Sequence, residues 1–130
     1  MLRPSGPKRI LLVDDDVDIL MALQLILEEH FVVEVASSPM HALQILQRED
    51  FDVVVVDLMM PAMDGTKLIE QIRRRRLTLA PIILMSAYPD ARETAQLAGA
   101  ADAICKPFQI ELLENKLMAV LQQPKAAIPV

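Results

Sequence analysis

Residues Val53–Asp57 read VVVVD, a run of four β-branched apolar residues that ends in an aspartate. A strand covered on both faces is continuously apolar, whereas a strand with one solvated face alternates apolar and polar residues. The run therefore indicates a buried strand of a parallel sheet over Val53–Val56, with Asp57 at its carboxyl end.

Short apolar runs of the same kind alternate with helical patterns along the rest of the chain. The other strands are predicted over Arg9–Val13, Val32–Ala36, Ile82–Met85 and Ala103–Cys105. The helices are predicted over Val17–Glu29, Pro39–Gln47, Gly65–Arg75, Ala91–Ala98 and Ile110–Gln122. Strands that alternate with helices imply right-handed βαβ crossovers. The predicted fold class is α/β, a doubly wound five-stranded parallel sheet.

Composition limits the classes of protein that this chain can belong to. Its 130 residues, 53% of them apolar, suit one domain, predicted over residues 8–122 between flexible ends at 1–7 and 123–130. The last segment also suits the start of a linker. A net charge of −5 argues against direct nucleic-acid binding by this domain, and no apolar run is long enough to span a membrane. A single cysteine, Cys105, excludes an internal disulfide and agrees with a reducing cytoplasm.

Polar residues interrupt the apolar strands at their carboxyl ends. Asp14, Asp15 and Asp16 follow the first strand, and Asp57, Ser86 and Lys106-Pro107 follow the third, fourth and fifth strands. In an open parallel sheet these ends meet at one edge, where ligands bind. Carboxylates about 4 Å apart repel by roughly 4 kcal/mol per pair at an effective dielectric near 20. An all-oxygen cluster of Asp14, Asp15 and Asp57 therefore predicts a Mg²⁺ site, while Asp16 is expected to cap the first helix.

This set of side chains suits phosphoryl transfer onto a carboxylate. Asp57 can act as the nucleophile and form an acyl phosphate, Lys106 offers a cation for a phosphoryl oxygen, and Ser86 offers a hydroxyl donor. With three glycines in the chain, no glycine-rich loop can hold a nucleotide phosphate.

Four stretches resemble the receiver domains of bacterial two-component response regulators. They are LLVDDD at Leu11–Asp16, VVDLMMPAMDG at Val55–Gly65, IILMSA at Ile82–Ala87 and CKPF at Cys105–Phe108. The resemblance covers about residues 8–122. It implies a flavodoxin-like fold with strand order 2-1-3-4-5.

The resemblance also assigns roles to individual residues. It implies that Asp57 is the phosphorylation site of a phosphorelay protein and that Asp15 binds Mg²⁺ directly, with Asp14 acting mainly through water. The backbone carbonyl of Met59 would complete the protein ligands. Ser86 would be the hydroxyl of the switch, and the phosphate-binding Lys106 would be joined to Pro107 by a cis peptide.

The partners implied by the resemblance are proteins. The phosphodonor would be a histidine kinase or a phosphotransfer protein, and the phosphorylated form would bind a downstream protein target or form a dimer. The chain would catalyse only its own phosphorylation and dephosphorylation. The resemblance identifies neither the cognate kinase nor the output pathway.

One position departs from the family pattern. Receiver domains usually carry Tyr or Phe three residues before the lysine, where this chain has Ala103. The usual aromatic switch on the fifth strand therefore cannot operate. Tyr88, two residues after Ser86, is a candidate substitute or an ordinary loop residue.

Two alternatives to a phosphoacceptor remain open from the sequence. Ala103 motivates a degenerate receiver that binds partners without phosphorylation. An aspartyl phosphohydrolase is the other alternative, but such enzymes commonly carry a second acid two residues after the nucleophile, where this chain has Met59.

Two surface features also carry alternatives. Leu20, Leu23 and Leu27 suffice for the core face of the first helix, which leaves Met21 and Leu25 either exposed for phosphodonor docking or covered by the last helix. The arginines at 73–76 indicate either a solvated last helical turn or a docking surface for an acidic partner.

Overall fold

The computed structural model describes residues 6–89 and 91–122. Within these residues, five strands alternate with five helices. The strands are β1 Arg9–Val13, β2 Val32–Ala36, β3 Val53–Asp57, β4 Ile82–Ser86 and β5 Asp102–Cys105. The helices are α1 Val17–Leu27, α2 Pro39–Arg48, α3 Gly65–Arg74, α4 Ala91–Ala98 and α5 Ile110–Leu121. Residues 1–5 of the predicted end at 1–7, and all of the predicted end at 123–130, lie outside the described residues.

The five strands form one parallel sheet in the order β2-β1-β3-β4-β5, which confirms the expected topology. Val13 lies opposite Val56, Asp57 opposite Met85, and Ser86 opposite Cys105. This register brings the residues that end β1, β3, β4 and β5 to one edge of the sheet.

The run VVVVD is buried on both faces, as predicted. Val53 and Val55 belong to a core with α1 and α5, whereas Val54 and Val56 belong to a core with α2, α3 and α4. All four side chains are fully buried. Because each buried valine contributes about 1.5 kcal/mol or more, this strand anchors both layers of helices to the sheet.

Polar caps fix where three of the helices begin, and the cap at Asp16 matches the sequence prediction. The side chains of Asp16, Ser38 and Asp64 accept hydrogen bonds from backbone N–H groups in the first turns of α1, α2 and α3. Gly99 follows α4 with a φ of 87°, a left-handed conformation that favours glycine. The caps therefore orient three helices whose first turns lie next to the polar edge of the sheet.

Helix α1 is shorter than predicted. It ends at Leu27 rather than Glu29, and in the turn that follows the N–H groups of His30 and Phe31 both donate to the Leu27 carbonyl. None of the described helices combines the length and apolarity needed to cross a membrane.

The arginine cluster is only partly a solvated last turn, so that interpretation was wrong for Arg73. Its guanidinium donates to the carbonyl oxygens of Thr78 at 2.8 Å and Ala80 at 2.9 Å, which fixes the α3–β4 loop. Burial lowers the pKa of Arg73. The side chains of Arg75 and Arg76 are exposed, as predicted.

Candidate functional site

Three carboxylates meet at the carboxyl edge of the sheet. Asp14 and Asp57 are buried and Asp15 is exposed, and one oxygen from each lies within 4.8 Å of the others. Asp14 is held in place because its N–H donates to the Ala36 carbonyl and its Oδ1 accepts from the N–H of Asp16. The cluster therefore has two fixed buried acids and one acid at the solvent side.

Lys106 reaches this cluster from the end of β5. Its Nζ lies 2.8 Å from Asp14 Oδ2 and 3.1 Å from Asp57 Oδ1. Its backbone N–H donates to the Ser86 carbonyl at 2.6 Å, and the Lys106–Pro107 peptide is cis, as the resemblance implied. The ammonium group thus contacts both buried carboxylates at once and offsets part of their negative charge.

The charges in the cluster change the pKa values of its members. Burial raises the pKa of Asp57 and the charges of Asp14 and Asp15 act in the same direction, although the hydrogen bond from Lys106 opposes them. Burial by itself would lower the pKa of Lys106, but the hydrogen bonds to Asp14 and Asp57 outweigh it and the pKa is raised. Lys106 therefore remains a cation at neutral pH.

The predicted hydroxyl and the flanking side chains lie in the loops beyond β3 and β4. Ser86 is fully buried, and its Oγ accepts a hydrogen bond from the Tyr88 N–H at 2.9 Å. The side chains of Met59 and Tyr88 are 55% and 52% exposed. Tyr88 borders a cavity of about 240 Å³ that Ala103 also lines, so space remains where the family carries an aromatic ring.

An apolar groove of about 500 Å³ lies directly beside Lys106. Its lining comes from α1, from Ala87 and from the segment after β5: Ile19, Ala22, Leu23, Ala87, Lys106, Pro107 and Phe108. Sequence reasoning missed the contributions of Ala87 and Phe108. The signal that can find them is their position next to Ser86 and Pro107 in two of the quoted motifs.

The exposed face of α1 resolves one of the open alternatives. Met21 is 62% exposed and Leu25 is 76% exposed, whereas Leu20, Leu23 and Leu27 are buried. The last helix therefore does not cover Met21 and Leu25, and they form an apolar surface next to the groove.

The family description "Response regulator receiver domain" matches residues 10–118. The chain belongs to this family. It is the receiver domain of a two-component response regulator, and its acidic pocket is intact. Nothing in the pocket supports the degenerate alternative.

Relatives of known name and structure agree with this assignment. Protein PetR of Rhodobacter capsulatus is 33% identical over 127 residues, which cover 95% of this chain but only 53% of PetR. The chain thus spans about half the length of this relative. The receiver domain of Francisella response regulator 1452 matches with a TM-score of 0.81 at 28% identity, covering 88% of this chain and 97% of that one.

A third match bears on the metal. TrrA of Thermotoga maritima, solved in complex with Mg²⁺-BeF, matches the receiver domain with a TM-score of 0.77 at 31% identity, covering 87% of this chain and 98% of that one. In this chain the three clustered carboxylates supply hard oxygen ligands within 4.8 Å of one another. Oxygens on opposite sides of Mg²⁺ lie about 4.2 Å apart. Neighbouring oxygens lie closer, about 3 Å apart, so the carboxylates must draw together by about 1 to 2 Å around the ion. Their three hard oxygen donors fit Mg²⁺ in kind.

Proposed function

We propose that this receiver domain is a phosphoacceptor switch in which Asp57 takes a phosphoryl group from phosphohistidine on a histidine kinase or phosphotransfer protein. The observation that carries this proposal is the contact of Lys106 Nζ with both Asp14 and Asp57 at the sheet edge. An Asp57 oxygen forms the new bond to phosphorus while the phosphorus–nitrogen bond breaks and its electron pair returns to the imidazole. The product is an acyl phosphate at Asp57.

The neighbouring residues supply charge and orientation. Lys106, kept protonated by its carboxylate partners, moves its ammonium group to an entering phosphoryl oxygen. Ser86 turns its hydroxyl toward the same group. Asp14, Asp15, Asp57 and the carbonyl of Met59 would hold Mg²⁺, which supplies positive charge against the phosphoryl oxygens when it is bound.

The apolar groove beside Lys106, together with exposed Met21 and Leu25, is the proposed docking surface for the phosphodonor. An exposed apolar patch of this kind marks a protein interaction site. We expect Leu25→Glu to slow phosphorylation by a phosphohistidine protein and to leave phosphorylation by acetyl phosphate unchanged. Equal slowing with both donors would argue against docking at this surface.

Ser86 and Tyr88 form the proposed start of the output route. When the Ser86 side chain rotates and carries its Oγ to the phosphoryl group, the Tyr88 N–H loses its acceptor. The released loop lets the Tyr88 ring enter the cavity beside Ala103, so that Tyr88 takes over part of the missing aromatic switch. Pro107 completes the proposed switch segment, and the altered surface binds the downstream target.

Tyr88 is the only tyrosine, and the chain contains no tryptophan, so its fluorescence reports this movement directly. Phosphorylation with acetyl phosphate and Mg²⁺ is expected to reduce acrylamide quenching of Tyr88. Ala103→Leu fills the cavity and is expected to abolish the reduction while phosphorylation continues. Unchanged quenching in a fully phosphorylated wild type would refute this route.

Further parts of the proposal concern the whole protein. We place the receiver between residues 8 and 122 and expect a cytoplasmic protein. A phosphorylation-dependent dimer is to be tested by light scattering before and after treatment with acetyl phosphate. A mass that stays at that of the monomer after complete modification would argue against dimerisation.

Incubation with acetyl phosphate or phosphoramidate and Mg²⁺, followed by intact mass measurement, separates the three functions considered. The switch predicts a gain of one phosphoryl group. Absence of any gain would favour the degenerate module, and continued donor consumption over many turnovers would favour a phosphohydrolase. We expect the chain to catalyse only its own phosphorylation and dephosphorylation.

A further inference from the structure

Helix α3 begins in direct contact with the backbone of the phosphoacceptor. A Cβ atom added at Gly65 would lie 2.5 Å from the carbonyl oxygen of Asp57 and 2.9 Å from the Cα of Leu58, whereas ordinary contact begins at 3.4 Å. Both neighbours are backbone atoms, which cannot rotate away as the end of a side chain can. Any residue other than glycine at this position must therefore displace α3 or the Asp57–Leu58 peptide.

Hydrogen bonds hold the backbone of Leu58 from two sides. The Gly65 N–H donates to the Leu58 carbonyl at 2.8 Å, and the Leu58 N–H donates to the Met85 carbonyl on β4 at 2.8 Å. Asp64 caps α3 through the Lys67 N–H and fixes where the helix starts. The backbone beyond the Asp57 side chain is thus clamped between β4 and the first turn of α3.

Backbone conformation does not explain why position 65 is a glycine. Gly99 has a φ of 87°, but Gly65 does not lie in the left-handed region and begins a regular helix. At such a position alanine is the better helix former. The lack of a side chain at Gly65 therefore allows α3 to approach Asp57 closely.

We infer that Gly65 is a positioning residue, whose lack of a side chain sets the distance of Asp57 from Asp14, Asp15 and Lys106. This inference rests on the proposed role of Asp57 as phosphoacceptor. Relief of the clash requires a shift of about 1 Å, and a misplacement of that size lowers a reaction rate by up to about 100-fold. We expect Gly65→Ala to slow phosphorylation by acetyl phosphate by about 10- to 100-fold and to weaken Mg²⁺ binding.

Gly99→Ala provides the matched control. An added Cβ at Gly99 meets nothing within 4 Å, so its cost comes from the positive φ and not from a clash at the site. Both variants are expected to be less stable than the wild type in urea. Only Gly65→Ala is expected to change the Mg²⁺ affinity measured by calorimetry and the amide exchange of Leu58.

Three results would overturn the positioning role. The first is a folded Gly65→Ala with wild-type phosphorylation rate and Mg²⁺ affinity, and the second is an equal loss in Gly99→Ala. The third is a Gly65→Ala chain that is unfolded by circular dichroism while Gly99→Ala is folded, which would make Gly65 a requirement for folding. The Mg²⁺ affinity can be measured without phosphorylation, so it tests the positioning role of Gly65 even if Asp57 proves not to be the acceptor.

Discussion

Replacing Asp57 with asparagine is expected to stabilise the folded chain when a chelator removes metal ions. Burial raises the pKa of Asp57, with the charges of Asp14 and Asp15 adding to the effect against the hydrogen bond from Lys106. An acid whose pKa is higher in the folded than in the unfolded chain reduces stability once it is ionised. Asparagine keeps the shape and an acceptor oxygen for Lys106 but removes the charge.

The magnitude follows from the charges around Asp57 and from its burial. One oxygen of each acid lies within 4.8 Å of the others, so at an effective dielectric near 20 buried Asp14 repels Asp57 by roughly 3.5 kcal/mol, whereas water screens exposed Asp15 and leaves it about 1 kcal/mol. At 3.1 Å and the same dielectric, Lys106 attracts Asp57 by roughly 5 kcal/mol. The nearby charges therefore nearly cancel, and burial makes the ionised form of Asp57 unfavourable, in agreement with its raised pKa. We expect Asp57→Asn to raise the free energy of unfolding by about 1 kcal/mol at pH 7.

Urea unfolding followed by circular dichroism in EDTA measures this difference. Below the ordinary pKa of 3.8 the carboxyl is protonated in both states, so the two proteins should be nearly equal in stability. The advantage of Asp57→Asn should grow as the pH rises from there through the raised pKa of the folded state. Mg²⁺ should then stabilise the wild type more than the variant, because it binds the folded wild type more tightly.

Asp102→Asn is the control for this change of charge. Asp102 pairs with Lys116 at 3.0 Å and lies outside the acidic cluster. Loss of this ion pair is expected to lower the free energy of unfolding by at most about 1 kcal/mol. A destabilised Asp57→Asn at pH 7 in EDTA would refute the claim that this carboxylate is held at a cost in stability.

Three further predictions concern the cation, the metal and the start of α3. Lys106→Met is expected to slow phosphorylation by acetyl phosphate by about 100-fold or more, as measured by intact mass against time, and a wild-type rate would exclude Lys106 from the reaction. EDTA is expected to stop modification and excess MgCl₂ to restore it; modification that continues in EDTA would contradict the metal requirement. Asp64→Ala is expected to lower the free energy of unfolding in urea by about 1 kcal/mol at pH 7, whereas Asp64→Asn should cost little. The hydrogen bond from Thr66 lowers the pKa of Asp64, so the alanine effect should fade as the pH drops below 3.8 through the lowered value. An asparagine variant as unstable as the alanine variant would contradict the capping role.

Much of the fold could be predicted because each strand and helix carries a local signal. The continuous run VVVVD indicated a strand covered on both faces, and the structure buries all four valines in two cores. Strand order was not available from local pattern and came only from the resemblance. Arg73 shows the limit, because its bonds to two carbonyl groups across a loop leave no mark in the sequence.

The site could be predicted as a set of residues but not as a geometry. Polar residues after apolar strands indicated that Asp14, Asp57 and Lys106 share one edge. Lys106 bridges the two acids and Gly65 approaches the Asp57 backbone closely. Both facts depend on distances that four separate segments of the chain determine together. The roles of these residues in phosphoryl transfer stay predictions until they are measured.

Borohydride reduction of the phosphorylated chain tests the central claim most directly, since it converts an aspartyl phosphate to homoserine. Tandem mass spectrometry then locates the modified residue. The account predicts homoserine at position 57 alone, formed only when donor and Mg²⁺ are both present. Homoserine at another aspartate, or none after an observed gain of a phosphoryl group, would contradict it.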